Sequence, residues 1–483
     1  MNRRAMNRRA AAAVLALAGC ADPGPQQPPR PLADVTALTS PGPAQPTPWP
    51  AERWWQAFGD AALDALVDRA LATQPSLQAA QARAQAAAAQ VALVGADTQP
   101  QATLTADATG QRFSAQGLVP PALAGATRWN AGVQLGARWE LDLFGRQRAA
   151  LESAIGQQRA AEADAQAARL LLAADIATQW FALARQLEQQ RLAAEGLRQR
   201  HHLQALVRQR VAAGLDSAAD TAQADALVAQ AQVELQALAE GAARLRHALA
   251  ELSGQGPQAL ADAAPALAPL RVPALPGALG ADLLGRRADL VAQRWRVEAA
   301  LREVDLQRTR FYPDVDLVGF VGLSSLGLDQ LLNLGARTYG AGPALRLPVF
   351  DGGRLRAQLA GRQAEADAAI EGWNTTLLRA LREAADAVAV LQALPAQQAA
   401  QAQAEAAAQA TLSLARQRHQ AGLTPRLPEL QAEHALLALQ RTAADLKARH
   451  LAADVALARA LGGGYRAPHP LPASPLAMSP TRP

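Results

Sequence analysis

Leu206-Val-Arg-Gln-Arg-Val-Ala-Ala-Gly-Leu215 returns 208 positions later as Leu414-Ala-Arg-Gln-Arg-His-Gln-Ala-Gly-Leu423, with seven of ten residues identical. The same offset carries Gly254 onto Gly462 without a gap. Upstream, Gln99-Pro100 answers to Tyr312-Pro313. Leu141-Asp-Leu-Phe144 with Gly145-Arg-Gln-Arg148 answers to Leu347-Pro-Val-Phe350 with Gly353-Arg-Leu-Arg356. A period this long exceeds any solenoid unit and reads as a duplicated domain. The expected units are 51–254 and 281–464, joined by a Pro/Gly-rich linker over 255–280, with a flexible tail over 465–483.

Each copy offers the same parts. No proline occurs from Ala122 to Gly256, which permits very long helices. Ile176, Trp180, Leu183, Leu187 and Ala194 fall at coiled-coil spacings, as do Ile370, Trp373, Leu377, Leu381, Ala384, Val388 and Leu391. A helix from about Arg146 to Ala213 would be roughly 100 Å long at 1.5 Å per residue. Gly214 breaks it, as Gly422 does in the second copy, and a returning helix runs to Gly254 or Gly462. Pro395 falls inside the second long helix and should kink it or mark a change of packing.

Before each long helix the period switches to two. In 102–109, Ala102, Leu104, Ala106 and Ala108 alternate with Thr103, Thr105, Asp107 and Thr109. In 133–142, Val133, Leu135, Ala137, Trp139 and Leu141 alternate with Gln134, Gly136, Arg138, Glu140 and Asp142. The second copy offers 314–321 and 341–349, with Pro343 and Pro348 inside. Such alternation suits a lipid-facing barrel strand with a wet interior, and equally a soluble antiparallel sheet. Four strands per chain cannot close a membrane barrel, since about eight is the smallest. If these strands span a membrane, several chains must share one barrel, because an open edge in lipid leaves backbone groups unsatisfied.

The first twenty residues read as an address. Arg3 to Arg9 form a charged region, and Ala10 to Ala18 an apolar run too short to span a bilayer. Residues 1–19 are expected to be a signal peptide. Leu17-Ala18-Gly19-Cys20 resembles a bacterial lipobox, in which the cysteine becomes the acylated first residue of a lipoprotein. Ala21, rather than aspartate, favours outer-membrane sorting. Positions 20–50, rich in Pro and Gln, read as a lipidated tether without a core. Acyl chains, palmitate among them, would anchor the chain without spanning the membrane.

Composition removes other classes. Half of the 483 residues are apolar but only 4% are aromatic. Removing positions 1–19 takes away four arginines and no acid, so the formal charge falls from +5 to +1, and a nucleic-acid partner is not expected. Cys20 is the sole cysteine, which excludes an internal disulfide and a cysteine-built metal site. His201 and His202 are adjacent and diverge by about 100° on a helix, the wrong spacing for paired ligands. Gly462-Gly463-Gly464 follows a helix, so it reads as a helix end rather than a phosphate cradle. There is no H-E-x-x-H, P-loop or G-x-S-x-G. No enzyme, metal or cofactor is expected.

Several ordered motifs resemble the TolC-like outer-membrane factor family, in particular its lipoprotein branch that serves resistance-nodulation-division (RND) transporters. Trp54-Trp55-Gln-Ala-Phe58-Gly59-Asp60 is similar to its opening, and Trp139-Glu140-Leu141-Asp142-Leu143-Phe144-Gly145-Arg146 to its first strand-to-helix junction. Leu284-Gly-Arg286-Arg287-Ala288-Asp289-Leu290 resembles its second opening, with alanine where proline is usual. Phe311-Tyr312-Pro313, Pro348-Val-Phe350-Asp351-Gly352-Gly353-Arg354-Leu355 and Ala460-Leu461-Gly462-Gly463-Gly464-Tyr465 resemble later landmarks.

The resemblance implies a mainly α chain with membrane β-strands. It would form a homotrimer with an α-barrel tunnel and a shared twelve-stranded β-barrel in outer-membrane lipid of a Gram-negative cell. It implies a periplasmic adaptor (membrane fusion) protein and an inner-membrane RND transporter as partners, and passive export of small molecules. It places a periplasmic gate at Asp220, Leu427 and Gln431. The two aspartates that the family carries in the second copy are replaced by Pro428 and Gln431, and Glu429 would face elsewhere. It places adaptor docking at the tips Gly214-Leu215 and Gly422-Leu423. For Asp220 the alternative is a solvated or helix-capping aspartate. Alternative functions are a type I protein-secretion channel and a periplasmic coiled-coil scaffold lipoprotein. The lipobox and Arg286-Arg287 favour efflux, and a scaffold needs no charged lumen-facing strand residues.

Overall fold

The computed structural model describes residues 24, 28–33, 50–267 and 286–468. The signal peptide, Cys20, most of the tether, half of the linker, and positions 469–483 of the tail lie outside the described residues.

A 3-10 turn, Trp54–Phe58, leads into α1 (Ala61–Thr73) and α2 (Pro75–Asp97). The hairpin β1 (Gln101–Arg112) and β2 (Thr127–Glu140) follows, then α3 (Arg146–Ala212) and α4 (Ala218–Leu252). The order then recurs as α5 (Ala288–Thr309), β3 (Asp314–Leu326), β4 (Arg337–Arg346), α6 (Arg354–Gln420) and α7 (Leu427–Ala460). Both α3 and α6 have 67 residues, roughly 100 Å each. Each starts after a left-handed glycine, Gly145 or Gly353, where a Cβ would strain the turn from strand to helix.

Shorter helices stack end to end against the long ones. The end of α4 meets the start of α2: Thr73 Oγ1 donates to the Ser253 carbonyl at 3.2 Å, and Gln74 Nε2 to the Glu251 carbonyl at 3.1 Å. The end of α7 meets the start of α5, where Arg287 donates to the Ala460 carbonyl at 3.2 Å. Each long helix is thus accompanied by a two-piece helix, while α7 also packs along α3 and α5 packs on both α3 and α6. The seam between α3 and α5 is lined by small residues, Ala149, Ser153, Gly156, Ala160 and Ala163, at alternating steps of four and three. A Cβ on Gly156 would lie 3.0 Å from the Ala299 Cβ, so the close approach requires glycine.

The largest apolar cluster sits midway along the helices. It joins Trp54, Trp55, Phe58, Leu63 and Val67 to Ile176, Trp180, Phe181 and Leu183, and reaches Leu249 and Leu451. Phe58 and Phe181 meet edge to face at 4.8 Å between ring centroids. Asp60 caps α1 through the Ala62 and Leu63 amides and accepts the Trp180 indole N–H at 2.7 Å. The opening motif is therefore a 3-10 turn followed by a separately capped α1, packed against α3.

The four strands form one antiparallel sheet in the order β1-β2-β3-β4. Register aligns Leu104, Leu135, Val321 and Tyr339 across one face, and Thr105, Gln134, Gly322 and Thr338 across the other. The polar face carries the ion pairs Arg138–Asp316 at 2.7 Å and Arg146–Asp314. Phe320 is its exception, an aromatic between Gly136 and Gly340. A Cβ at Gly340 would fall 2.9 Å from that ring. On the apolar face Trp129 and Trp139 are ten residues apart, about 33 Å of strand. A tilt of roughly 40° reduces this to about 25 Å, the height of a membrane barrel's apolar band between its aromatic girdles.

Four expectations need correction. The strands extend beyond the alternating cores: β1 reaches Arg112, β2 begins at Thr127 and β4 spans Arg337–Arg346. Ladder pairing, as in Arg112↔Thr127 and Leu323↔Arg337, sets strand ends irrespective of side-chain pattern. Pro348 lies outside β4, while Pro343 sits within this edge strand. Ala194 is only half-buried, the seam there being Leu192, Ala193 and Gly196. Finally, part of the tether packs: Arg30 donates from its backbone to Asp367 at 3.1 Å and from its guanidinium to Glu371 at 3.1 Å.

Pro395 does not end α6, which runs on to Gln420. It does mark a packing change. Leu391 and Leu394 before it are fully buried, and the next buried residue of α6 is Leu412.

Candidate functional site

Both helix turns lie at the end of the molecule away from the sheet. The α3–α7 contact, with Gly196 beside Leu437 and Arg441, brings the two turns to one end. They are built alike. Gly214 (φ 75°) donates to the Val211 carbonyl and Leu215 to the Arg210 carbonyl, both at 2.9 Å. Gly422 (φ 72°) donates to the His419 carbonyl and Leu423 to the Arg418 carbonyl, again at 2.9 Å. This pair of bonds is the Schellman motif, and it usually brings an apolar contact between its last residue and the one five earlier. Here that residue is Arg210 or Arg418, so Leu215 and Leu423 are left exposed, about 67% and 76%.

Asp220 stands exposed in the first turn of α4. Its Oδ2 accepts from the Ser217 amide at 2.8 Å and the Ser217 hydroxyl at 2.7 Å, closing a capping box. These hydrogen bonds hold its carboxyl below the usual carboxylate range. Asp216 is likewise lowered, by a two-pronged bond from Arg210 at 2.7 and 2.8 Å. The capping alternative for Asp220 is therefore realised, and its negative charge is retained at the turn.

The second tip differs. Leu427 opens α7 and is exposed, with Pro428 in its first turn. Gln431 is exposed one turn further on. Glu429 turns toward α6, where Arg416 binds it at 3.2 Å and also binds Glu433. The two carboxylates near the missing aspartates, Glu429 and Glu433, are thus both paired with Arg416 inside the helix pair. The structure gathers Gly214, Leu215 and Asp220 at one tip, and Gly422, Leu423, Leu427 and Gln431 at the other. Cys20 lies outside the described residues. His201 and His202 are both exposed on α3.

Three polar groupings stand out at these positions, of which the sequence offered only the first, as the capping alternative for Asp220. Ser217-Ala-Ala-Asp220 carries a capping-box spacing and was legible. The Arg416 clamp spans a turn, and its glutamates gave no local signal. The third is Arg287, buried and bound to Asp289 at 2.8 Å and Glu383 at 3.0 Å, which ties α5, α6 and the end of α7 together.

Comparison with known proteins gives this arrangement a family. The profile described as outer membrane efflux protein matches residues 66–255 and 279–463. The multidrug resistance outer membrane protein MdtP of Escherichia coli strain K12 is 33% identical over 471 residues, covering 93% of this chain and 94% of MdtP. The crystal structure of the outer membrane protein VceC of Vibrio cholerae superposes with a TM-score of 0.78 at 36% identity, covering 86% of this chain and all of VceC. The open state of the MtrE outer membrane channel of Neisseria gonorrhoeae gives 0.73 at 26% identity, covering 83% of this chain and 89% of MtrE. With a sheet of barrel-like faces at one end and paired 67-residue helices running from it, the chain belongs to the outer membrane efflux protein family, whose members are channels and not enzymes, and it is an efflux channel of the outer membrane.

Proposed function

We propose that three copies of this chain close one barrel and one tunnel, and that the assembly is a passive conduit for small toxic molecules driven by partners in a tripartite pump. The observation that carries this reading is the open sheet. Among the described residues its β1 and β4 edges are unpaired in the single chain, and one face is apolar across all four strands. Unpaired edges are not stable in hydrocarbon, and three chains supply twelve strands. The partners are a periplasmic adaptor protein at the tips and an inner-membrane RND transporter behind it. Exposed Leu215 and Leu423 favour the tips as the docking site, because each lacks the intrachain contact that its turn motif usually provides. The conduit performs no covalent chemistry.

Lipid attachment at Cys20 is supported by the course of the tether. Arg30 binds Asp367 and Glu371, and Ala33 donates to Asn374 at 2.8 Å, so the segment runs parallel to α6. From Arg30 to Ala33 it runs away from the sheet, so Arg30 lies on the sheet side. Asp367 is thirteen residues into α6, about 20 Å below its start. The ten residues from Cys20 to Arg30 reach at most about 36 Å, enough to bring the anchor to the membrane.

The test is native mass spectrometry of protein extracted from outer membranes, followed by conductance in planar bilayers. A trimer of acylated chains that conducts ions supports the reading. A soluble, correctly processed monomer retires it in favour of a scaffold.

The gate is assigned to Asp220 and Leu427, with Gln431 in place of a second acid. Carboxylates at a constriction favour cations, and apolar side chains narrow it. Asp220→Ala is expected to lower cation preference, and Leu427→Ala to raise resting conductance and the entry of large antibiotics. Unchanged conductance and selectivity in both variants would remove the gate from these positions.

A further inference from the structure

The two helix pairs, α3–α4 from the first copy and α6–α7 from the second, meet where α3 packs along α7. A series of polar contacts ties that seam. Arg185 binds Asp445 at 3.0 Å, and Gln189 donates to Asp445 at 3.1 Å and to the Arg441 carbonyl at 3.0 Å. Nearest the tips, the Arg441 guanidinium leaves α7, passes α3 and binds Glu234 on α4. It crosses where α3 carries Gly196: a Cβ built there would lie 3.8 Å from Arg441 Nη2 and 3.9 Å from Leu437. Arg200 of α3 stands 3.9 Å from the other oxygen of Glu234.

Beyond this point each pair is tied only to itself. Arg208 binds Asp225 within the first pair at 2.9 Å, and Arg416 binds Glu429 and Glu433 within the second. Among the described residues, no hydrogen bond or ion pair joins the two pairs between Arg441 and the turns. Arg441 lies fourteen residues into α7 and Glu234 sixteen into α4, so about 20 Å of each pair extends past the last tie. Leu427 stands at the end of one such lever and Asp220 at the end of the other.

The chemistry of the tie suits holding a position that can be released. Arg441 and Glu234 are 27% and 39% exposed, and ion pairs at such exposure add little to stability. Arg441 Nε is buried without a hydrogen-bond partner among the described residues, which weakens the tie further. One carboxylate holds two guanidiniums together. Without it, Arg200 and Arg441 would repel each other across the seam. The repeat does not duplicate this tie: the offset of 208 sets Thr442 against Glu234, and Val233 against Arg441.

We propose that Glu234 and Arg441 are positioning residues of the gate. Their tie sets the resting separation of the two helix pairs, and its release lets the tip of the second pair swing away from the first. This rests on the gate reading at the tips and names what holds that gate shut.

The test uses the full-length channel in planar bilayers. Glu234→Arg is expected to raise the resting open probability severalfold, and Glu234→Gln to raise it less. Glu234→Arg combined with Arg441→Glu restores the attraction and is expected to return the channel toward wild-type closure. A merely structural role would give no such rescue, and the thermal midpoint should stay near the wild-type value in all three. Cys20 is the sole natural cysteine and is consumed by acylation in the lipoprotein reading, so introduced thiols report cleanly. Glu234→Cys with Arg441→Cys, bridged by a short bis-maleimide, is expected to stop ethidium export from cells while the channel remains assembled. Wild-type closure in Glu234→Arg, a swap as open as the single variant, or continued export through the bridged channel would each overturn the proposal. Leu427→Ala, measured alongside, separates the two readings. If it raises resting conductance and Glu234→Arg does not, the tie is removed and the tip gate stands. If neither does, the tip gate falls and the tie falls with it.

Discussion

Asp454→Asn is expected to raise the thermal midpoint of the channel at pH 8 and to flatten its fall between pH 5 and 8. Asp454 lies on the buried side of α7 among Ala453, Val455 and Leu457, and its Oδ2 has no hydrogen-bond partner among the described residues. Burial alone pushes its carboxyl up from 3.8 to about 7. His450, one turn away with Nε2 4.0 Å from Oδ2, is held below its usual value by its own burial and supplies no counter-charge at pH 7 and above. From α6, the uncharged Gln398 contacts His450 at 3.3 Å, and Gln397 meets Arg449. Glu383, further along, is bound to Arg287 and Arg459. On α3, Arg185 is bound to Asp445, and Asp175 interacts with Arg459.

The sign follows from linkage. The folded chain keeps the Asp454 proton where the unfolded chain has lost it, so stability declines as pH rises from about 4 to about 7 and is level above. At about 1.4 kcal/mol per pH unit, the pH 5 to 7 part of that window is worth about 3 kcal/mol per chain. The lowered His450 acts oppositely, costing stability as pH falls through 6.5. Subtracting the Asn variant's melting curve from the wild type isolates the carboxyl. A difference that does not grow with pH would show Asp454 to be ionised throughout.

Arg287→Ala is expected to unfold the upper end of the second helix pair. The Arg287 side chain is 7% exposed and binds Asp289, Glu383 and the last-turn carbonyl of Ala460 at once. Removing one partner of a buried pair leaves the others uncompensated, which typically costs 3–5 kcal/mol. The two acids are partly exposed, 32% and 19%, so a loss of about 3 kcal/mol is expected. The measurement is thermal unfolding of the purified channel alongside the amount recovered in the outer membrane. Arg287→Met keeps much of the packing volume and should lose nearly as much, because charge and not volume holds the joint. A Met variant of wild-type stability would assign Arg287 to packing alone.

Distance along the chain separates the features legible in the sequence from those that were not. The two 67-residue helices, their glycine ends and the alternating faces of the strands were legible because each signal lies within a few neighbouring residues. Helix period, strand period and left-handed glycine are local consequences of backbone geometry. The Asp220 cap was legible for the same reason, since Ser217 is three residues away. The repeat itself was visible as plain self-similarity.

Tertiary structure decided what contacts at long range decide. Arg30 finds its acids 337 and 341 residues away, so nothing near the tether announced that it would pack. Arg287 becomes a buried clamp only because α6 and α7 converge on it. Glu429 is drawn into the helix pair only because Arg416 faces it across the turn. Pro395 lies where close packing along α6 gives way to exposure, a property of the neighbouring helix and not of proline. The sequence by itself determined which elements form, how long the helices are and which face of each strand is apolar, while pairing set the strand ends. Only the tertiary structure decided which charges are buried, which are paired and which remain exposed at the tips, because desolvation and pairing depend on neighbours that the chain brings from hundreds of residues away.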